Sequence, residues 1–286
     1  MKIPERILKK VEKPARYTGG EWGQIVKDKN AVDVRFAFCF PDTYEIGMSN
    51  LGVRILYDVL NARADTWCER AYAPWVDMEA CMREEHIPLW AHESGDPVSE
   101  FDIVGFSLQY ELCYTNVLNM LELAGIPLLA AERGDDAPVV VGGGPCTYNA
   151  EPIADYFDLF MIGEGEEVIC ELVSLYKEHK KQGFRKAAFL HEAAKIEGIY
   201  VPSLYEVSYH GDGTISSVSP KYDDIPVTIR KRIVKDMDKA PYPKTLVMPF
   251  IQTVQDKITL EVYRGCIRGC RFCQAGMVWR PVREKS

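Results

Sequence analysis

Apolar and polar positions alternate between two periods along the first 180 or so residues of this 286-residue chain. After a polar leader, Val32 to Phe40 is a mostly apolar run rich in Val and Phe, which predicts a buried strand. Pro41 to Asn50 collects Pro, Asp, Gly, Ser and Asn and predicts a loop. Ser49 or Asn50 is placed to cap a helix over Leu51 to Asn61, where Leu51, Ile55 and Leu60 have helical spacing. This strand, loop and helix unit recurs. Thr66 to Tyr72, Asp102 to Leu108, Pro138 to Val141 and Tyr156 to Ile162 read as further strands. Val76 to Glu85, Thr115 to Ala124 (closed by Gly125) and about Glu164 to Lys181 read as helices.

Such alternation predicts an α/β fold: a doubly wound parallel sheet, covered on both faces, with ligand-binding loops at the carboxyl ends of its strands. Beyond Lys181 the pattern changes. Leu204 to Val218 alternates like a hairpin turned at Gly211, Asp212 and Gly213, and Ile225 to Pro249 reads as an extended, Pro-containing connector. Ile258 to Tyr263 is a fresh apolar strand without a successor. These shifts divide the chain into a leader (1–30), an α/β domain (31–182), a connector with a hairpin (183–256) and the start of a second core (257–286). One strand, a loop and an incipient helix cannot bury a core alone, so this last unit is expected to be cut short or completed elsewhere.

Composition narrows the class. No run approaches the ~18 apolar residues of a membrane span, and the leader lacks a signal segment, so a cytoplasmic protein is expected. A net charge of -8 does not suit a general nucleic-acid surface. The exception is local: Arg264, Arg268, Arg271, Arg280, Arg283 and Lys285 face a single acid, Glu284, within the last 23 residues, a run that reads otherwise as a solvated face. Six of the nine cysteines, Cys39, Cys68, Cys81, Cys113, Cys146 and Cys170, lie singly in apolar segments and read as small buried residues. His86 and His92 are isolated and read as surface or core positions rather than ligands.

The other three cysteines are grouped. Cys266, Cys270 and Cys273 fall within eight residues in a C-x3-C-x2-C pattern, with Gly265 and Gly269 available to let the backbone wrap closely. Soft thiolates select zinc or iron-sulfur clusters. A structural zinc wants a fourth ligand that neither the loop nor the thirteen residues after it offers. Three thiolates leave one iron of a 4Fe-4S cluster open, as a reaction centre needs.

This loop, following a strand and carrying the aromatic Phe272 before its last cysteine, resembles the radical S-adenosylmethionine (SAM) superfamily. The resemblance implies that Cys266, Cys270 and Cys273 each bind one iron, that SAM chelates the fourth, and that Phe272 lies beside the adenine. It implies a radical SAM enzyme that cleaves SAM to a 5'-deoxyadenosyl radical, with a flavodoxin or ferredoxin as reductant and a (β/α) partial barrel that begins with the strand and loop at 257–286. It names no substrate.

The front segment resembles the cobalamin-binding, Rossmann-like domains found in an uncharacterised family of these enzymes. Three regions carry the likeness: Pro41 to Gly47, the strand ending at Ser107, and Gly142 with Gly143. The family reads D-x-H-x-x-G in the first, and here Tyr44 replaces the cobalt-ligating histidine, while Gln109 stands where Ser-x-Leu has its leucine. Any cobalamin is therefore expected to bind without a protein histidine, and an empty scaffold that positions substrate is the other expectation. The segment DLFMIGEGE, Asp158 to Glu166, resembles the strand-to-helix junction of the same enzymes. There Gly163 and Gly165 would expose helix amides to a ligand, or simply begin a helix whose dipole Glu164, Glu166 and Glu167 complement. Tyr44, Ser107, Gly142, Gly143, Gly163 and Gly165 thus form a candidate corrinoid or substrate face. The rival reading is a corrinoid- or nucleotide-binding module stapled by a structural zinc or iron-sulfur loop.

Overall fold

A computed structural model describes residues 3–244, 246–255 and 257–286. The expected leader's first two residues and the end of the expected connector, residue 256, lie outside the described residues.

A short α1 (Glu5–Leu8) precedes β1 (Val34–Phe40), α2 (Tyr44–Ser49), α3 (Leu51–Asn61), β2 (Thr66–Tyr72) and α4 (Val76–Glu85). Then come β3 (Ile103–Ser107), α5 (Tyr114–Ala124), β4 (Val139–Gly143), β5 (Leu159–Met161), α6 (Gly165–Lys181), α7 (Lys186–Ala193) and β6 (Ile199–Tyr200). The chain ends with β7 (Tyr205–Tyr209), β8 (Ile215–Pro220), β9 (Tyr263–Arg264), α8 (Ala275–Val278) and β10 (Arg283–Glu284).

The main sheet has the order β2-β1-β3-β4-β5-β6. Its first five strands are parallel and β6 runs antiparallel to β5. Every residue of β1 and β2 is buried, because helices cover both faces. On one face α3 packs beside α6. On the other, Arg83 of α4 donates to Asn119 and Glu122 of α5. The direction of winding reverses between β1 and β3, which opens a crevice outside their carboxyl ends. One apolar core unites these layers and takes in Ile7, Val11 and Tyr17, so the leader is docked on the domain rather than trailing from it.

Several expectations need correction. The loop at Pro41 to Asn50 contains α2, because Tyr44 and Met48, one turn apart, both bury against the core. The fifth strand is confined to β5, since Glu151–Tyr156 instead forms a 3₁₀ turn. The expected strand over Ile258 to Tyr263 shrinks to β9, and Ile258, Leu260 and Val262 are exposed. Among the described residues only β10 pairs with β9, over two residues, so the apolar run before it joins no larger sheet. Helix α7 and the antiparallel β6 were not expected. The hairpin is present as β7 and β8, and among the described residues no helix is long and apolar enough to cross a membrane.

Candidate functional site

A cavity of about 630 Å³ occupies the crevice at the carboxyl ends of the parallel strands. Phe36, Phe38, Phe106, Val141 and Met161 of the sheet, with Leu51, Ile55 and Leu56 of α3 and Ile169 of α6, supply apolar walls. Gly143 leaves its strand end open to the cavity, whereas Gly105 and Gly144, which also line it, make room for the Phe36 ring and the Leu108 backbone. Uncharged polar groups are few. Ser107 Oγ accepts from Gln109 Nε2 at 2.7 Å, and Asn50, whose Oδ1 accepts from the Val53 amide at 3.1 Å to cap α3, also faces the space. An apolar chamber with sparse, placed polar groups at a topological switch point has the form of a small-molecule site.

The cysteine loop forms part of this cavity's wall. Cys266 and Cys273 line it together with Tyr263, Gly265, Gly276 and Trp279, whereas Cys270 is exposed. Gly265 is at φ +95°, and a Cβ there would come within 2.7 Å of the Pro281 carbonyl oxygen, so this position requires glycine. Gly269 shows neither constraint and stands in open space. The three thiols are free. Among the described residues no three His, Cys, Asp or Glu side chains converge to hold a metal ion. The donor set, three unpaired soft ligands on one loop, fits an iron-sulfur cluster in chemistry.

Ion pairs seat the loop. Arg264 of β9 pairs with Glu166 and with Glu261, and Arg283 of β10 makes a two-pronged pair with Glu164, at 2.6 and 2.7 Å. Burial by itself would raise the Glu164 carboxyl, but Arg283, the Val234 amide and Arg264 together outweigh it and hold the group below the ordinary carboxylate range. Burial likewise opposes the Arg264 charge, and Glu261 and Glu166 more than offset it, so its pKa rises. Behind the loop, Tyr148 Oη donates to the Val278 carbonyl at 3.2 Å, and Lys231 Nζ donates to the same carbonyl at 2.9 Å.

Residues 52–202, from the first turn of α3 to just past β6, match the family described as "Radical SAM proteins, N-terminal". The chain belongs to that family. It is also 24% identical over 262 residues to an uncharacterized protein of Methanocaldococcus jannaschii, an alignment that covers 87% of this chain and 43% of the relative. The chain thus spans less than half the length of that relative. The matched residues lie N-terminal to Cys266, so the cysteine loop is outside them.

Within this radical SAM N-terminal region the structure brings Ser107, Gly143, Gly163 and Gly165 to the cavity, beside Cys266 and Cys273. Gly142 is not among the lining residues: a Cβ there would press within 2.6 Å of the Phe160 ring, so its role is to let two strands pack. Phe272 is 93% exposed and faces no part of the cavity. Tyr44 is not among the lining residues. Its ring is buried, T-stacked on Tyr72 and nearly parallel to His92. The basic run is not uniformly solvated either, since the Arg264 and Arg283 side chains are only 9% and 11% exposed. Sequence reasoning overlooked Asn50 as a cavity residue, and the docking partners of Glu164 and Glu166. Their signal was present in the GEGE segment, but their partners lie about a hundred residues away.

Proposed function

We propose that this chain is the front part of a radical SAM enzyme, in which Cys266, Cys270 and Cys273 each bind one iron of a 4Fe-4S cluster and the adjoining chamber holds the substrate. The observation that carries this reading is the position of the cysteine loop: two of its thiols share the wall of the apolar chamber. Bound there with SAM, the cluster would supply the electron that cleaves SAM to methionine and a 5'-deoxyadenosyl radical, which takes hydrogen from substrate.

The chain's own residues have simpler tasks. Phe36, Phe38, Ile55 and Ile169 give the chamber apolar walls that hold a bound molecule out of bulk water. Asn50, Ser107 and Gln109 offer hydrogen bonds that orient a bound molecule. Gly265 lets the loop press against the 279–281 backbone. In this reading 31–182 is the substrate-holding domain, 183–256 the connector and 257–286 the beginning of the radical SAM core, with a flavodoxin or ferredoxin as electron donor. Tyr44 is buried, donates its hydroxyl to Glu21 and does not line the chamber, which favours a substrate scaffold over cobalt ligation in the front domain.

Anaerobic reconstitution with iron and sulfide, followed by metal and acid-labile sulfide analysis, tests the proposal. A 4Fe-4S stoichiometry lost in Cys266→Ala, Cys270→Ala and Cys273→Ala is expected, together with formation of 5'-deoxyadenosine from SAM by the full-length protein under reducing conditions. Bound zinc without labile sulfide would overturn it in favour of a structural staple.

A further inference from the structure

Glu164 gathers three separate segments of chain on one carboxylate. Its oxygens accept from Arg283 Nη2 at 2.6 Å and Nη1 at 2.7 Å, and Oε2 also accepts from the Val234 amide at 2.6 Å. Arg264 Nη1 stands 3.5 Å from the same Oε2. Glu164 itself belongs to the turn between β5 and α6, Val234 to the connector, and the two arginines to β9 and β10, the strands that bracket the cysteine loop.

Two details argue that this is more than helix capping. Glu164 occupies the N-cap of α6, yet its side chain makes no capping hydrogen bond; it reaches instead toward the loop. Across the β9–β10 ladder Arg264 sits directly opposite Arg283, and like charges so placed destabilise a strand pair. The short ladder therefore depends on carboxylates between and beside the guanidinium groups, and Glu164 is the one that touches both.

We infer that Glu164 is a positioning residue that fixes the base of the cysteine loop against the front domain and so sets where the loop faces the chamber. The inference rests on the proposed function for its consequence in catalysis, but its structural content can be tested without any cofactor.

The test compares the full chain with Glu164→Gln, Arg283→Gln and the double variant by amide hydrogen exchange. Glu164→Gln keeps the shape and removes the charge, so exchange at Val234, Tyr263 to Arg264 and Arg283 to Lys285 should quicken by about tenfold or more while β1 to β4 stay protected. Arg283→Gln, which lies outside the front core, should reproduce the effect, and the double variant should add little because both changes break one interaction. Unchanged exchange in Glu164→Gln, or full additivity in the double variant, overturns the inference. After reconstitution, Glu164→Gln should retain wild-type iron and sulfide, since its thiols are untouched, and cleave SAM at least about tenfold more slowly with an unaltered KM. Iron loss accompanied by melting of the front domain would show a merely structural role and likewise overturn it. A wild-type protein that assembles no cluster would sink the proposed function and leave the exchange result to stand or fall by itself.

Discussion

The hydroxyl of Tyr44 donates to Glu21 Oε1 at 3.0 Å, tying the first helical turn after β1 to a residue of the leader. Glu21 also pairs with the fully buried Arg70 at 3.2 Å, and Arg70 Nε donates to Glu93 at 2.6 Å. Tyr44→Phe should therefore leave a buried carboxylate one donor short and cost about 1–2 kcal/mol, with the apolar chamber unaffected. Denaturant midpoints at constant slope would measure this; a neutral result would mean that water replaces the hydroxyl.

His92 predicts a pH dependence. Burial pushes its imidazole down from 6.5 to about 4, against the opposing pull of Glu21 and with Arg70 adding to the fall. Its Nδ1 has no hydrogen-bond partner among the described residues. The unfolded chain takes up the proton first as pH drops, so this stabilising contribution is intact above about pH 6.5 and is lost as pH falls towards 4. The loss amounts to roughly 3 kcal/mol. Across that window the unfolding free energies of wild type and His92→Phe should diverge by this amount in total, and parallel profiles would refute the assignment.

Two glycines of the chamber should respond differently to alanine. Gly163 is at φ +110° with its missing Cβ only 2.2 Å from the Arg232 carbonyl oxygen, so Gly163→Ala combines backbone strain with a clash and should cost roughly 2–4 kcal/mol. At Gly143 the nearest atom to a new Cβ is Met161 Cε at 3.7 Å, an ordinary contact, and Gly143→Ala should cost less than about 1 kcal/mol. Thermal melts of the two variants decide it, and equal losses would contradict the geometry.

The nine cysteines should separate by reactivity. Cys39 and Cys68 are fully buried, and burial raises both thiols far above their ordinary range. In cofactor-free native protein, iodoacetamide should modify exposed Cys270 first and Cys266 and Cys273 next, with Cys39 and Cys68 labelled only after denaturation. Peptide mass mapping gives the order, and early labelling of Cys39 or Cys68 would contradict the packing described.

What the sequence by itself determined is local and periodic. The apolar run ending at Phe40 and the segment Thr66 to Tyr72 are strands because their side chains must be buried on both faces, and Asn50 caps α3 with its own side chain. The C-x3-C-x2-C spacing likewise sets three thiols on one loop whatever the rest of the chain does. Only the tertiary structure decided which way Tyr44 faces, since a helical turn hidden in a polar segment turns its ring toward a leader residue 23 positions earlier. Tertiary structure also decided that Glu164 meets Arg283, 119 positions away, rather than its own helix. Periodicity reports that a side chain is buried or exposed because it reflects the geometry of a single element; it carries no information about which distant segment packs there, and the chamber, with its walls drawn from β1, α3, β3 to β5, α6 and the cysteine loop, is made of such encounters.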